Sequence, residues 1–360
     1  MTPWILEDKI RKAAARAFEL DPRDLPFTWP RGDQAPKGYD AASPLAPRIL
    51  TQVLAGPRTR KSRTAAEVCE RIVDRLRAED TDFAALLGDR RGFVGVTFTE
   101  AARTALLEAA ADGPRWLTGR DWNGQGRWPR TPLHESGPIA QARRHARADA
   151  RARIFRALAT EPPPPGPQED EEVGWRDPYR DEEGAELLTP AARTLAAVGE
   201  DSARIAFCRS IPEYPRERDS TGRELPVLPS AEYPGAWARL TEANPAFRLR
   251  YAHAHATSRV RWVTEGAPVV DGCVAHTAEV RRCLFDGPSA LDAAAHREEP
   301  HILVRYLETL ASAYDEWRTC PHGAPERVEG TVSEPELPAA VAGVLRTGLF
   351  LLGVSAPTRL

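Results

Sequence analysis

Apolar residues recur at helical spacing through much of the first third of the chain, and one short segment alternates as a strand does. TAAEVCERIVDRLRAE (64–79) and EAARTALLEAAA (100–111) carry apolar residues three and four positions apart, which predicts helices. GFVGVTF (92–98) alternates between two faces, which predicts a strand. Together these segments predict a small α/β domain over residues 1–112.

Longer helical patterns fill the C-terminal part, residues 187–360. Pro300 and Pro338 suit helix starts, and Gly353 suits a helix end. The patterned segments are long enough to pack into an α-helical bundle, and they read TPAARTLAAVG, PAFRLRYAHAHATSRVRW, HILVRYLETLASAYDEW and LPAAVAGVLRTGLFLLG. The fold class predicted for the whole chain is therefore α+β.

The middle region, residues 113–186, is defined by charge. RWLTGRDWNGQGRWPR reads as irregular, whereas IAQARRHARADARARIFRAL (139–158) is dense in good helix formers. Residues 115–160 hold ten arginines and three acidic residues, and residues 161–186 hold ten acidic residues and two arginines. A proline run, Pro162 to Pro165, must be extended. We interpret the region as a basic helix followed by a Pro/acid-rich linker.

Composition limits the classes of protein that fit. The 360 residues carry a formal net charge of −3, which does not by itself indicate a nucleic-acid binder. The charged, helical N-terminus has no signal-peptide core, and no apolar run is long enough for a membrane helix. These features predict a cytoplasmic protein without a membrane partner. The spacing of Cys273, His276, Cys283, Cys320 and His322 is not that of common zinc sites, so no metal site is predicted.

Four segments resemble the arginyl-tRNA synthetase family, in the family's own order. NPAFRLRYAHAHATS (244–258), EPHILVRYLETLASAYDEW (299–317) and FLLGVSAPTRL (350–360) resemble parts of its helical anticodon-binding domain, the DALR domain. AVGEDSARIAFCRS (197–210) is similar to the V-G-x-D-A-x-R stretch that follows the catalytic core. Residues 1–112 resemble the N-terminal additional domain, which touches the tRNA elbow, through WPRGDQAPKGYDAAS and RRGFVGVTFTEAARTALL.

The ATP-binding signatures of that family are missing from these 360 residues. Neither H-I-G-H nor K-M-S-K-S is present, and no lysine follows Lys61. His301 lies inside the predicted anticodon-domain helix and is not a remnant of the first motif. No P-loop or dinucleotide-binding glycine motif replaces them. No catalytic residue and no cofactor are therefore predicted.

The resemblance implies a set of candidate tRNA-binding residues. Tyr251 is expected beside the anticodon loop, where stacking on an unpaired base contributes about 1–3 kcal/mol. His255 stands where the family usually has arginine, and Leu360 replaces the family's methionine. Trp317 is either a core residue or an anticodon contact. The full candidate set adds Arg248, His253, Arg259, Arg305 and Arg359.

The basic helix adds a second candidate surface. Arg143, Arg147 and Arg151 share one face at four-residue spacing, with Arg144 alongside, and we expect them to contact phosphates. We also hypothesise that the acidic linker covers this face when no tRNA is bound.

These observations lead to three functional alternatives. The first is a tRNA-binding protein without aminoacylation, an adaptor that presents tRNA to a tRNA-modifying or tRNA-using enzyme, with the arginine isoacceptors as the expected tRNA. The second is an active arginine–tRNA ligase. The third is a regulatory partner of the genuine synthetase.

Overall fold

The computed structural model describes residues 1–52, 64–122, 128–160, 188–211, 224–266, 272–320, 331–332 and 334–359. The helices are α1 (Pro3–Phe18), α2 (Leu45–Gln52), α3 (Ala65–Glu79), α4 (Glu100–Ala111), α5 (Gly113–Thr118), α6 (Ile139–Leu158), α7 (Pro190–Val198), α8 (Glu200–Arg209), α9 (Pro245–Thr264), α10 (Val274–His296), α11 (Pro300–Thr319) and α12 (Leu337–Leu351). The strands are β1 (Ala41–Ser43), β2 (Phe83–Gly88), β3 (Val94–Phe98), β4 (Gly272–Cys273) and β5 (Thr331–Val332).

The secondary structure confirms the α+β prediction. Helices dominate, and the three-stranded antiparallel sheet has the order β1-β3-β2. A second ladder pairs β4 with β5, also antiparallel. Among the described residues, no helix is both long enough and apolar enough to cross a lipid bilayer.

The chain divides into two compact units, each built from residues that are distant in sequence. Unit 1 comprises residues 1–119, 256–290 and 309–344, and unit 2 comprises residues 120–255, 291–308 and 345–360. The units group residues by contact in space, so the three regions proposed from the sequence remain a prediction as domain boundaries.

The core of unit 1 follows the periodicity of its helices and strands. Apolar residues of α1, α3 and β3 are buried, among them Leu6, Ile72 and Phe98. Thr64 begins α3 with a capping box, because its hydroxyl accepts the Glu67 amide while the Glu67 carboxylate accepts the Thr64 amide. Local capping and amphipathic burial therefore define this helix together.

The core of unit 2 is built from α6, α7 and α8 and from parts of the C-terminal helices. Ala146 and Ala150 of α6 are fully buried, as are Ile205 and Phe207 of α8. Because alanine is small, the backbones of helices that meet through it can approach closely. The alanine-rich sequence of α6 therefore serves packing as well as helix propensity.

Several elements differ from the sequence-based expectation. The helix α10 was not predicted, because Gly287 and Pro288 lie within it and usually interrupt a helical pattern. The short strands β1 and β2 and the helix α8 were not predicted either. Residues 115–118 of the segment expected to be irregular belong to α5 (Gly113–Thr118).

Candidate nucleic-acid interface

A line of three aromatic rings runs along one face of α9 in unit 2. Phe247, Tyr251 and His255 follow at four-residue spacing, which places them on the same helix face. The rings of Phe247 and Tyr251 are stacked, with centroids 5.6 Å apart and planes 19° apart. The rings of Tyr251 and His255 are 6.3 Å apart and inclined by 37°. All three side chains are partly exposed, so the line forms an aromatic surface, here called the α9 stripe.

Asn244 fixes the N-terminus of α9, where the stripe begins with Phe247. Its Oδ1 accepts the amide hydrogens of Ala246 and Phe247, at 2.9 and 3.4 Å. Its Nδ2 donates to the carbonyl oxygens of Trp237 and Arg239, at 2.8 and 3.0 Å. Since Asn244 is almost fully buried, the start of the helix is fixed to the preceding segment.

His253 lies inside unit 2, and the structure therefore differs from its candidate role as a surface contact. The side chain is only 3% exposed, and its Nδ1 lies 2.9 Å from the carbonyl oxygen of Pro357. Burial lowers the pKa of His253, which favours a neutral ring that donates from Nδ1. His253 ties the C-terminal segment to α9.

Further groups lie close to the same end of the chain. Arg250 Nε is 3.5 Å from the Asp201 carboxylate, which also accepts the amide hydrogen of Ser355 at 3.2 Å. Arg248 is partly exposed and Arg359 is exposed. Leu360 lies outside the described residues.

Trp317 is buried in unit 1, which favours the first of its two alternatives, a core residue. It is 6% exposed, and its Nε1 donates to the hydroxyl of Thr277 at 3.2 Å. Its indole stacks on Tyr314, with centroids 5.5 Å apart. The expected contact between Trp317 and an anticodon base would require this side chain to leave the core, and it stays a prediction.

The arginines of α6 do not form the exposed face that the sequence suggested. Arg143 and Arg147 are buried, although they do share a helix face with Arg151. Arg143 Nε donates to the hydroxyl of Ser210 at 2.9 Å. Arg147 donates to the Ser210 carbonyl at 2.8 Å and to Glu299 at 2.6 Å. The two guanidinium groups join α6 to Ser210 and Glu299 within unit 2, so their expected contact with phosphates stays a prediction.

The remaining candidates of α6 are more accessible. Arg144 is exposed, and Arg151 is partly exposed with its Nε donating to the Glu298 carbonyl at 2.6 Å. The acidic linker that was expected to cover this face lies outside the described residues, so that hypothesis stays a prediction.

Two other candidates, Arg305 and Arg259, lie at the surface. In unit 2, Arg305 pairs with Glu308 at 3.0 Å beside a cleft of about 120 Å³. In unit 1, the Arg259 guanidinium lies 5.9 Å from the ring centroid of Trp262, which is 41% exposed.

The described residues contain no group of three side chains that could hold a metal ion. Burial raises the pKa of the Cys283 thiol to about 12, which keeps it protonated. His322, one of the five residues considered for zinc, lies outside the described part of the chain.

Sequence reasoning missed Phe247 and Asn244. The four-residue spacing of Phe247, Tyr251 and His255 was a signal for the stripe, and an asparagine before a proline that opens a helix was a signal for the cap.

Comparison with known proteins concerns the C-terminal part most directly. Residues 249–360 match the family of the DALR anticodon binding domain. The chain is 35% identical over 176 residues to an arginine–tRNA ligase from Frankia alni, in an alignment covering 46% of this chain and 29% of that protein. It therefore spans less than a third of the length of this relative.

Two solved structures described as arginyl-tRNA synthetases are also similar. The one from Campylobacter jejuni has 16% identity and a TM-score of 0.35, covering 49% of this chain and 37% of the other. The one from Thermus thermophilus has 20% identity and a TM-score of 0.33, covering 61% of this chain and 31% of the other. These scores are too low to transfer any residue position.

Proposed function

We propose that this arginyl-tRNA synthetase-like protein, whose C-terminal part is a DALR anticodon-binding domain, binds tRNA without aminoacylating it. The observation that carries the proposal is the α9 stripe. Its central ring, Tyr251, lies within the matched residues 249–360 and is partly exposed. An unpaired anticodon base has the flat face that such a ring can stack on.

The chemistry of the stripe suits a single-stranded loop. Each base stacked on an aromatic ring contributes about 1–3 kcal/mol, with little dependence on sequence. Arg248 and Arg359 supply positive charge for phosphates near the same helix and the C-terminal segment. His255 adds a ring but no permanent charge, so affinity rests more on stacking than it would with arginine at that position.

The absence of aminoacylation is proposed from the sequence. The H-I-G-H and K-M-S-K-S elements are missing, and the lysine-free chain beyond Lys61 offers no ammonium group for the second. In this proposal the protein is an adaptor that presents tRNA, in the first instance the arginine isoacceptors, to another enzyme.

One experiment tests both tRNA binding and the proposed role of Tyr251 in it. The full chain is titrated against unfractionated deacylated tRNA in a filter-binding assay, and captured RNA is sequenced. Tyr251→Ala should weaken binding by about 1–3 kcal/mol. Tyr233→Ala is the matched control, because Tyr233 is also an exposed tyrosine of unit 2, at 48%, outside the stripe. Equal tRNA affinities of the two variants would show that the α9 stripe does not contact the anticodon.

The 35% identity to an arginine–tRNA ligase makes aminoacylation the second candidate function. Arginine-dependent exchange of pyrophosphate into ATP distinguishes the two. We expect no exchange above background. A clear signal would show that the chain activates arginine and would contradict the adaptor proposal.

A further inference from the structure

A second cluster of aromatic rings lies in unit 2, built from elements other than α9. Trp122, Trp128 and Phe350 contact one another, with centroid distances of 5.2, 5.7 and 5.0 Å. Each of the three side chains is partly exposed. The tryptophans come from the middle region, which resembles no family segment, and Phe350 comes from the end of α12.

Two arginines of α6 lie over these rings. The Arg153 guanidinium is 4.9 Å from the centroid of Phe350, and that of Arg156 is 5.3 Å from the centroid of Trp128. Arg153 is buried and donates to the carbonyl oxygens of Pro129 and Phe350, each at 2.6 Å. Arg153 therefore links Pro129, which follows Trp128 in the chain, to the backbone of Phe350.

The partly exposed Arg156 has a different role from the buried Arg153. A guanidinium stacked on an indole extends the flat surface and still presents N–H donors at its edge. Arg346 is exposed and precedes Phe350 by one helical turn, so the two residues share a face of α12. Asp121, next to Trp122 in the chain, is exposed and carries a negative charge.

The combination of aromatic rings and positive charge favours one kind of ligand over another. An apolar partner would cover the partly exposed guanidinium of Arg156 and remove it from water, which is costly for a charged group. Unpaired nucleotides fit both parts of the surface, because their bases stack on rings and guanidinium planes while their phosphates are attracted by the positive charge of Arg156.

We propose that Trp122, Trp128, Phe350 and Arg156, here called the α6–α12 platform, bind unpaired RNA nucleotides at a second site distinct from the α9 stripe. The site selects single-stranded RNA over duplex RNA and has little preference for sequence, since every base has a face that can stack. A blunt duplex keeps its bases stacked inside and binds the platform poorly.

The test uses the full chain and a decamer of adenosine ribonucleotides with 2-aminopurine at its centre. Wild-type protein should change the 2-aminopurine fluorescence on binding and should prefer the decamer over a blunt RNA duplex of equal charge. Trp128→Ala should weaken decamer binding about tenfold or more, and Trp128→Phe should restore most of the affinity, because a phenyl ring still stacks.

Controls separate the platform from folding effects and from the proposed tRNA function. Circular dichroism and thermal melting show whether each variant is folded. Tyr233→Ala should leave decamer binding unchanged. Tyr251→Ala should retain the fluorescence change, so a failure of the α9 stripe and a failure of the platform are measured separately.

If Trp128→Ala does not fold, Arg156→Gln decides the question. It alters a partly exposed side chain and should lower the slope of log affinity against log salt by about one. An unchanged slope and affinity in folded Arg156→Gln would overturn the proposal. So would equal binding of decamer and duplex, or a wild-type chain that does not bind the decamer.

Discussion

The guanidinium of Arg204 lies 3.0 Å from the carboxylate of Asp149, and both side chains are buried in unit 2. Arg204 also donates to Glu200 at 2.8 Å and to the Thr131 carbonyl at 2.6 Å. Asp149 accepts the amide and hydroxyl hydrogens of Thr131. The arginine that ends the segment resembling V-G-x-D-A-x-R is therefore a buried anchor between α6 and α8.

Replacing this anchor should destabilise the fold. Arg204→Ala leaves the Asp149 carboxylate buried without its cation, which costs about 3–5 kcal/mol in free energy of unfolding. Chemical denaturation measures the loss. Arg239→Ala is the control, because its pair with Glu224 is exposed and contributes at most about 1 kcal/mol. Equal losses in the two variants would contradict the anchoring role.

The core position of Trp317 predicts a folding defect. Trp317→Ala should lower the free energy of unfolding by about 3–5 kcal/mol, because it leaves a cavity and removes the donor to Thr277. Tyr251→Ala should leave the melting temperature nearly unchanged while weakening tRNA binding. A Trp317→Ala chain that is fully stable yet binds tRNA weakly would show that Trp317 contacts RNA.

The arginines of α6 should separate into two classes. Arg147→Gln removes a charge buried against Glu299 and should lower the stability of the fold. Arg144→Gln should leave stability unchanged and, if this arginine contacts a phosphate, reduce the salt dependence of tRNA binding by a slope of about one. Denaturation and filter binding at several salt concentrations measure both effects. Loss of RNA binding in a fully stable Arg147→Gln chain would show that this arginine reaches RNA.

Two carboxyl groups of unit 1, the buried Glu7 and the partly buried Asp286, predict a pH dependence of stability. Burial raises the pKa of Glu7 to about 7. Burial, with the nearby charge of Asp33, raises the pKa of Asp286 to about 6. A carboxyl with a raised pKa in the folded state binds its proton more tightly there than in the unfolded chain. Its contribution to stability is therefore largest at low pH and is lost as the pH rises through the folded pKa.

A double variant isolates this contribution. In Glu7→Gln with Asp286→Asn, neither side chain can ionise. The free energy of unfolding of the variant minus that of the native chain should rise between about pH 5 and pH 7 and then level off. The lowered pKa of His253 acts in the opposite direction, but it is common to both chains and cancels. A difference that does not vary with pH would contradict the prediction.

The helices of this chain were largely predictable because their signals are local. The pattern in 139–158 predicted α6 with the bounds that the structure has, and the patterns around α3, α4 and α11 predicted those helices to within a residue or a few. The sequence also determined the resemblance of the C-terminal part, since residues 249–360 match the DALR domain. The helices α8 and α10 were not predicted, and α10 continues through Pro288, a residue that usually interrupts a helical pattern.

Tertiary structure alone decided which of the candidate side chains remain accessible. A helical pattern shows that Arg143, Arg147 and Arg151 share a face, but it cannot show what covers that face. Ser210 and Glu299, far away in sequence, are the partners that bury the first two. Trp317 is likewise buried where it donates to Thr277, a residue of another helix. Burial depends on neighbours brought together by the whole fold, whereas helix formation depends on residues a few positions apart.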